Sequence, residues 1–186
     1  MIENLIKKVA LFLDHTKIPY IIIGGQAVLL YGRPRMTQDI DITLGVDIDR
    51  YEAIDNLCKK LQLKILPDKP IKFVKDTRVL PVEDNKTKLR IDFIFSNTPY
   101  EKGAIRHARR VKMKGYPVKF ASIEDLIIHK LFAGRAVDLE DVKGILIKHI
   151  DKINFTYIRK WLKEFSKLPE AKDALSNFKR LLKKIR

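Results

Sequence analysis

Asp39 and Asp41 stand one residue apart in Asp39-Ile40-Asp41-Ile42-Thr43-Leu44, with Ile40, Ile42 and Leu44 interleaved. Successive side chains of an extended strand point to opposite faces, so the two carboxylates share one face, with Cα atoms about 6.6 Å apart. Like charges so close raise each other's pKa unless a cation lies between them, and paired oxygen donors suit a hard divalent cation. An isolated Asp-x-Asp is also a common surface pair or turn. Here it follows Gly24-Gly25 by thirteen residues, and that dipeptide ends the β-branched run Tyr20-Ile21-Ile22-Ile23. A glycine turn entering a helix lets a ligand approach the backbone and offers free N–H groups to phosphate. Together the two halves describe a phosphate cradle facing a metal site.

A third carboxylate, Asp92, interrupts the otherwise apolar stretch Ile91-Asp92-Phe93-Ile94-Phe95. One reading is an edge-strand charge that deters aggregation. The other places it across a neighbouring strand from Asp39 and Asp41. Three such carboxylates can hold two Mg²⁺ ions, one activating an attacking hydroxyl and the other stabilising a leaving pyrophosphate. A further group follows on a mostly apolar helix, with Lys130 and Arg135 preceding Asp138 and Asp141. Surface ion pairing is one explanation. The other is that Lys130 and Arg135 supply charge where pyrophosphate departs.

The elements that must position these residues alternate. Ile2, Leu5, Ile6, Val9 and Leu13 predict an amphipathic first helix, Tyr20–Ile23 a strand, and Gln26–Tyr31 a short helix stopping at Gly32. Asp39–Leu44 is the carboxylate strand, and Asp49–Leu63 a helix. Arg78–Val82 and Lys88–Phe95 read as strands around a turn, and Val118–Phe120 as a short strand. Ser122 followed by Glu124 and Asp125 starts a helix with a cap and acid in its first turn, and helical patterning continues to the end. The predicted organisation is an α/β core over 1–120 and a helical portion over 121–186 that completes the site and presents a basic surface.

These residues resemble a known family. Gly24-Gly25-Gln26-Ala27, Tyr31-Gly32, Arg35, Thr37, Asp39-Ile40-Asp41, Arg90-Ile91-Asp92 and the Lys130–Asp141 segment are similar, in this order, to minimal nucleotidyltransferases of the DNA polymerase β superfamily, and among them to the AbiEii-like abortive-infection proteins. The resemblance covers about 18–145. It implies an α/β (α+β) palm-like mixed sheet flanked by helices, with a helical C-terminal portion. It implies two Mg²⁺ ions on Asp39, Asp41 and Asp92, and an NTP whose phosphates lie against Gly24 and Gly25. It also implies that Lys130 touches the triphosphate while Asp138 or Asp141 completes the pocket; Gln26, Arg35, Thr37 and Arg135 are the remaining nucleotide-site candidates. Many relatives carry Ser as the second residue of the turn, whereas Gly25 offers only its backbone. Gln26 or Thr37 is the candidate replacement.

Charge narrows the acceptor. The chain has 186 residues and a formal net charge of +15. Residues 143–186 hold 13 Lys or Arg against 4 Asp or Glu, and Lys102–Lys119 holds seven basic residues and no carboxylate. Polyanions favour such surfaces because neutralised phosphates release counterions; a solubilising Lys-rich face is the alternative. The toxin resemblance, together with these basic segments, implies RNA as the favoured acceptor, a tRNA 3′ end in a toxin–antitoxin or phage-defence context, with Arg106, Arg109, Arg110, Lys112 and Lys114 as its surface and Tyr116 as a base-stacking candidate or a packed turn residue. The alternatives are adenylylation of a protein partner, a cognate toxin or antitoxin, and a non-catalytic binding module. A cationic aminoglycoside matches +15 poorly. The expected compartment is the cytosol, without a membrane span, and the lone Cys58 excludes a disulfide framework and is expected to be buried and inert. His129 is expected on a helix surface, with a place in the pocket beside Lys130 as the alternative, and Trp161 in a core or interface stripe.

Overall fold

In the computed structural model, which describes residues 1–34, 36, 37 and 39–185, a single sheet gathers every strand. The order is β3 (Leu63–Ile65), β4 (Val79–Asp84), β5 (Arg90–Phe95), β2 (Asp39–Leu44), β1 (Tyr20–Ile23), β7 (Tyr116–Phe120), β6 (Arg109–Met113). The sheet is mixed: β2 runs parallel to β5 and β1 parallel to β7, while the other pairings are antiparallel.

Alternation along the strands sorts the side chains into two faces. Ile40, Ile42 and Leu44 of β2 with Ile91, Phe93 and Phe95 of β5 are buried, and with Leu80 and Val82 of β4 they form one hydrophobic face. Leu5, Ile6, Val9, Ala10 and Leu13 of α1 (Ile2–His15) and Ile54, Leu57 and Cys58 of α3 (Tyr51–Leu61) belong to the same core. Their recurrence every three to four residues makes each helix amphipathic, and burying that stripe is what holds it on the sheet. Burial pushes the Cys58 thiol up to about 12, in keeping with an inert cysteine.

The opposite face carries Asp39, Asp41 and Thr43 beside Arg90, Asp92 and Ile94. It receives α2 (Gly24–Tyr31), α5 (Pro99–Arg106) and α6 (Ile123–Ala133). Ser122 caps α6 by accepting from the Asp125 N–H, and α6 is apolar all round because α2, α7 (Ala136–His149), α8 (Phe155–Phe165) and α9 (Ala174–Ile185) surround it. The core therefore continues across residue 120, from Tyr31 and Phe120 to Ile145, Leu162 and Phe178.

The structure adds elements that the hydrophobic pattern alone does not announce: β3, β6, α4 (Pro70–Thr77) and α5. It also excludes the edge-strand explanation of Asp92, since β5 is flanked by β4 and β2. No described helix is long and apolar enough to cross a membrane.

Candidate active site

The site is assembled at the ends of β1, β2 and β5. Parallel pairing sets Asp41 opposite Asp92 and Asp39 opposite Arg90, so the expected carboxylates share one face of adjacent strands. On the other side of β2, Ile23 is the antiparallel partner of Asp41, and the chain turns at once into α2. Gly24 adopts φ +63°, and a β-carbon there would lie 2.7 Å from Cγ of Asp41. A glycine is therefore demanded both by the left-handed backbone and by the carboxylate packed against it. Gly25 has the same relation to Thr37, whose Cβ would be 2.8 Å from an added side chain, with its hydroxyl nearer still. The Thr37 hydroxyl thus stands where a side chain at position 25 would begin. Gln26 is only 6% exposed and donates from Nε2 to the Asp39 carbonyl at 3.4 Å, joining the first turn of α2 to the start of β2. Arg35 lies outside the described residues.

The carboxylates are not equivalent. Burial, reinforced by the charges of Asp92 and Asp39, pushes the Asp41 carboxyl above its ordinary value, although Lys130 and Arg135 act in the opposite sense. Arg90 donates from Nε to Oδ1 of Asp92 at 2.8 Å, and Asp39 is exposed at the strand's first position. In this arrangement no group of three metal-ligating side chains is gathered among the described residues. The donor set nevertheless fits a hard divalent cation: Asp41 and Asp92 supply oxygens side by side, Asp39 lies two residues away on the same face, and a cation would offset the repulsion that raises Asp41.

Across the cleft, Lys130 of α6 is 4% exposed and reaches Oδ1 of Asp138 at 2.7 Å and Oδ2 of Asp141 at 2.9 Å. Arg135, at the N-cap of α7, donates from Nε to Oδ2 of Asp138 at 2.6 Å. Burial would raise the Asp138 carboxyl, but the hydrogen bonds and charges of Arg135 and Lys130 outweigh it and hold it below the usual carboxylate range. The pairing read from sequence as a possible surface contact is thus a buried network. It fixes the Lys130 ammonium at the wall of the cleft while Arg135, 71% exposed, keeps its guanidinium toward solvent.

A cavity of about 510 Å³ joins the two halves, lined by Gly24, Asp41, Thr43, Lys130, Arg135 and Asp138 and also by Ser96, Tyr100, His129, Phe132 and Phe165. His129 therefore takes the alternative place, in the pocket wall and not on an open helix surface, with its Nε2 buried without a partner. Thr43, 2% exposed, likewise has a hydroxyl without a partner. Trp161 and Phe165 form an aromatic wall with Tyr100 at ring-centroid distances of 4.9 and 5.0 Å.

The expected nucleic-acid residues lie elsewhere. Arg109, Arg110 and Lys112 are on β6, the sheet edge farthest from β4, with Lys114 in the turn after it and Arg106 at the end of α5. Arg109 sits 5.6 Å from the centroid of the Tyr31 ring. Tyr116 does not serve as a free stacking ring, since its hydroxyl donates to Asp14 at 2.7 Å and its ring is half-buried.

A profile described as nucleotidyl transferase AbiEii toxin of a type IV toxin–antitoxin system matches residues 11–154. The chain belongs to the AbiEii nucleotidyltransferase family. It is accordingly an enzyme that uses an NTP. Comparison with curated proteins finds no match. Among solved structures, ANT(2″)-Ia in complex with adenylyl-2″-tobramycin is similar with a TM-score of 0.60 at 17% identity, covering 88% of this chain and 95% of that one. An antigenic nucleotidyltransferase-like protein from Paracoccidioides brasiliensis gives 0.57 at 17% identity over 94% and 92% of the respective chains. A nucleotidyltransferase-like protein of H. pylori gives 0.50 at 19% over 98% and 94%. At such identities the likeness bears on the fold: a mixed nucleotidyltransferase sheet flanked by helices.

Proposed function

We propose that this AbiEii-family enzyme transfers a nucleoside monophosphate from an NTP to an RNA hydroxyl, a tRNA 3′ end in a toxin–antitoxin setting, with Mg²⁺ as its metal. The observation that carries the reading is the Asp41–Asp92 register on adjacent parallel strands, with the bare α-carbon of Gly24 packed against Asp41. Asp39, Asp41 and Asp92 would hold the metal, which supplies Lewis-acid stabilisation of charge on the attacking and leaving oxygens.

The remaining steps belong to this chain's own groups. Backbone N–H groups of the Gly24-Gly25 turn and the Thr37 hydroxyl bind the phosphates, and Lys130 and Arg135 face the departing pyrophosphate. Asp138 and Asp141 orient Lys130. The acceptor oxygen bonds to the α-phosphorus as the bond to the bridging oxygen breaks; pyrophosphate leaves, and the acceptor proton passes to Asp92. The base lies against the aromatic lining of the cavity, where Thr43 and His129 provide the polar groups. An acceptor of RNA is supported by the +15 charge and by the basic stretch of Arg106, Arg109, Arg110, Lys112 and Lys114, which holds the body of the RNA.

The test is incubation of the protein with MgCl₂, total tRNA and each α-labelled NTP, with Asp41→Ala in parallel. Label on RNA from the wild type alone is the expected result. Label on protein instead would make the enzyme a modifier of a partner protein, and no label with any NTP would overturn the reading.

A further inference from the structure

Two depressions open on the carboxylate face of the sheet, on opposite flanks of the Asp41–Asp92 pair. The cavity already described begins at Asp41 and Gly24 and contains Lys130 and Arg135. The other is an open groove of about 590 Å³ between β4 and α4, lined on the sheet side by Pro81 and Arg90. Pro81 is the antiparallel partner of Asp92, so the two are immediate neighbours on the same face. Arg90, two residues before Asp92 on that face, lines the groove and donates to the Asp92 carboxylate. The helix side is formed by Lys69, Lys72, Phe73 and Asp76, whose three- and four-residue spacing puts them on one face of α4 and its cap.

Phosphoryl transfer constrains what this groove can be. The attacking and leaving oxygens lie roughly in line through phosphorus, so the side from which pyrophosphate departs determines the side from which the acceptor arrives. Gly24, Lys130 and Arg135 define the departing side. The acceptor therefore approaches across Asp92, from the flank where the groove ends.

We infer that the groove between β4 and α4 is the acceptor site, and that it takes the 3′-terminal nucleotide of an RNA. The inference rests on the nucleotidyl-transfer reading above and adds where and how the acceptor is held. Phe73 is 39% exposed and Leu66 38%, so the groove presents a ring and an aliphatic side chain to solvent beside Lys69 and Lys72. An exposed ring between cations is a stacking platform for a base whose flanking phosphates the cations meet. Three cations, Lys69, Lys72 and Arg90, outnumber the acids Asp68 and Asp76 on the groove wall. With its base on Phe73, the terminal ribose presents its hydroxyl at Asp92; the oxygen bonds to the α-phosphorus, pyrophosphate leaves toward Lys130, and the proton goes to the carboxylate. The β6 residues lie four strand spacings from β5, about 19 Å. They therefore meet the body of the RNA and not its reacting end.

The experiment compares the wild type with Phe73→Ala, with Lys69→Glu/Lys72→Glu, and with Arg110→Glu/Lys112→Glu, all exposed positions whose variants are checked for unchanged melting. Fluorescent NTP affinity and labelling of total tRNA are measured for each, and RNA carrying a 3′-terminal 4-thiouridine is crosslinked to the wild type. The expected result is unchanged NTP affinity, a rise of about tenfold or more in KM for tRNA in the groove variants, and crosslinks within residues 66–76. Efficient labelling by the wild type with no change in the groove variants, or crosslinks elsewhere, would overturn the groove alone. Failure of the wild type to label any RNA, or label on protein, would overturn the RNA-transfer reading and the groove's occupant with it.

Discussion

The α-carbon of Gly24 lies so close to the Asp41 carboxylate that a methyl group on it would displace the acid. Two constraints meet at this contact: a backbone at φ +63°, which costs an L residue about 1–2 kcal/mol, and a carboxylate that the proposed reaction requires in place. Gly24→Ala should lower kcat by about a hundredfold, the usual scale for an ångström of misplacement. The melting temperature should fall by only a few degrees. Steady-state kinetics beside thermal denaturation will separate the two, and a variant with wild-type kcat would show that the Gly24–Asp41 contact does not position the acid.

Lys130 is held by two buried carboxylates, and removing it takes the buried cation from both, leaving Asp138 its exposed partner Arg135. Breaking a buried pair by deleting one partner typically costs 3–5 kcal/mol, so Lys130→Ala should be severely destabilised, whereas Lys130→Ala with Asp138→Asn should recover part of the loss. Asp138 also sets an acid limit. Its carboxyl is held below the unfolded value near 3.9, so the unfolded chain binds the extra proton first, and the contribution of Asp138 is full above that value and lost as pH falls through the folded pKa. Asp138→Asn should therefore flatten the acid limb of a stability–pH curve measured in urea. An unchanged slope below pH 4 would refute this.

Much of this site is legible in the sequence because chemistry violates pattern there. Carboxylates in the strands at Asp41 and Asp92, and a lysine in an apolar helix at Lys130, stand out against the hydrophobic period. β1 and β2 fall where their β-branched runs place them. The capping box of α5, with Thr98 and Glu101 three residues apart, is equally visible but easily overlooked beside the stronger strand before it. β6 is harder: as an edge strand with three exposed cations, it owes its place to pairing with β7 and not to its own polarity. His129 is ambiguous in the sequence because α6 packs against α2, α7, α8 and α9, so polarity in that helix marks the cavity wall as readily as a surface. The groove of α4 is illegible for another reason. It depends on the register of Pro81 against Asp92, which no local signal encodes.

Asp41 stores repulsion. Burial and its neighbours Asp92 and Asp39 raise its folded pKa above the unfolded value, so the ionised group costs stability at high pH, and the cost is relieved as pH falls through the folded pKa. Asp41→Asn should stabilise the metal-free protein at pH 8 by about 1 kcal/mol, roughly 2–4 °C for a chain of this length. The difference from wild type should shrink toward pH 4. Mg²⁺ should raise the melting temperature of the wild type but hardly that of the variant, since ligand binding to the folded state is what stabilises it. Scanning calorimetry at both pH values, with and without MgCl₂, provides the check; an Asp41→Asn protein that melts below wild type at pH 8 would contradict the stored repulsion.

Thr43 and His129 make a sharper demand on the proposed nucleotide cavity. A buried polar atom without a partner costs roughly 1–3 kcal/mol, and both residues line the cavity. Burial lowers the His129 pKa, so the ring is neutral at pH 7 and can meet a base edge without a charge. If these groups read the base, the wild type should prefer one NTP, and Thr43→Val and His129→Leu should each reduce that preference by about tenfold, equivalent to roughly 1.4 kcal/mol. Because Thr43→Val removes an unsatisfied hydroxyl and keeps its shape, it should melt no lower than wild type. Competition binding with all four NTPs tests the pair directly. Preferences unchanged in both variants would place base recognition elsewhere, whereas affinity lost equally for every NTP would mark the residues as packing groups of the cavity wall.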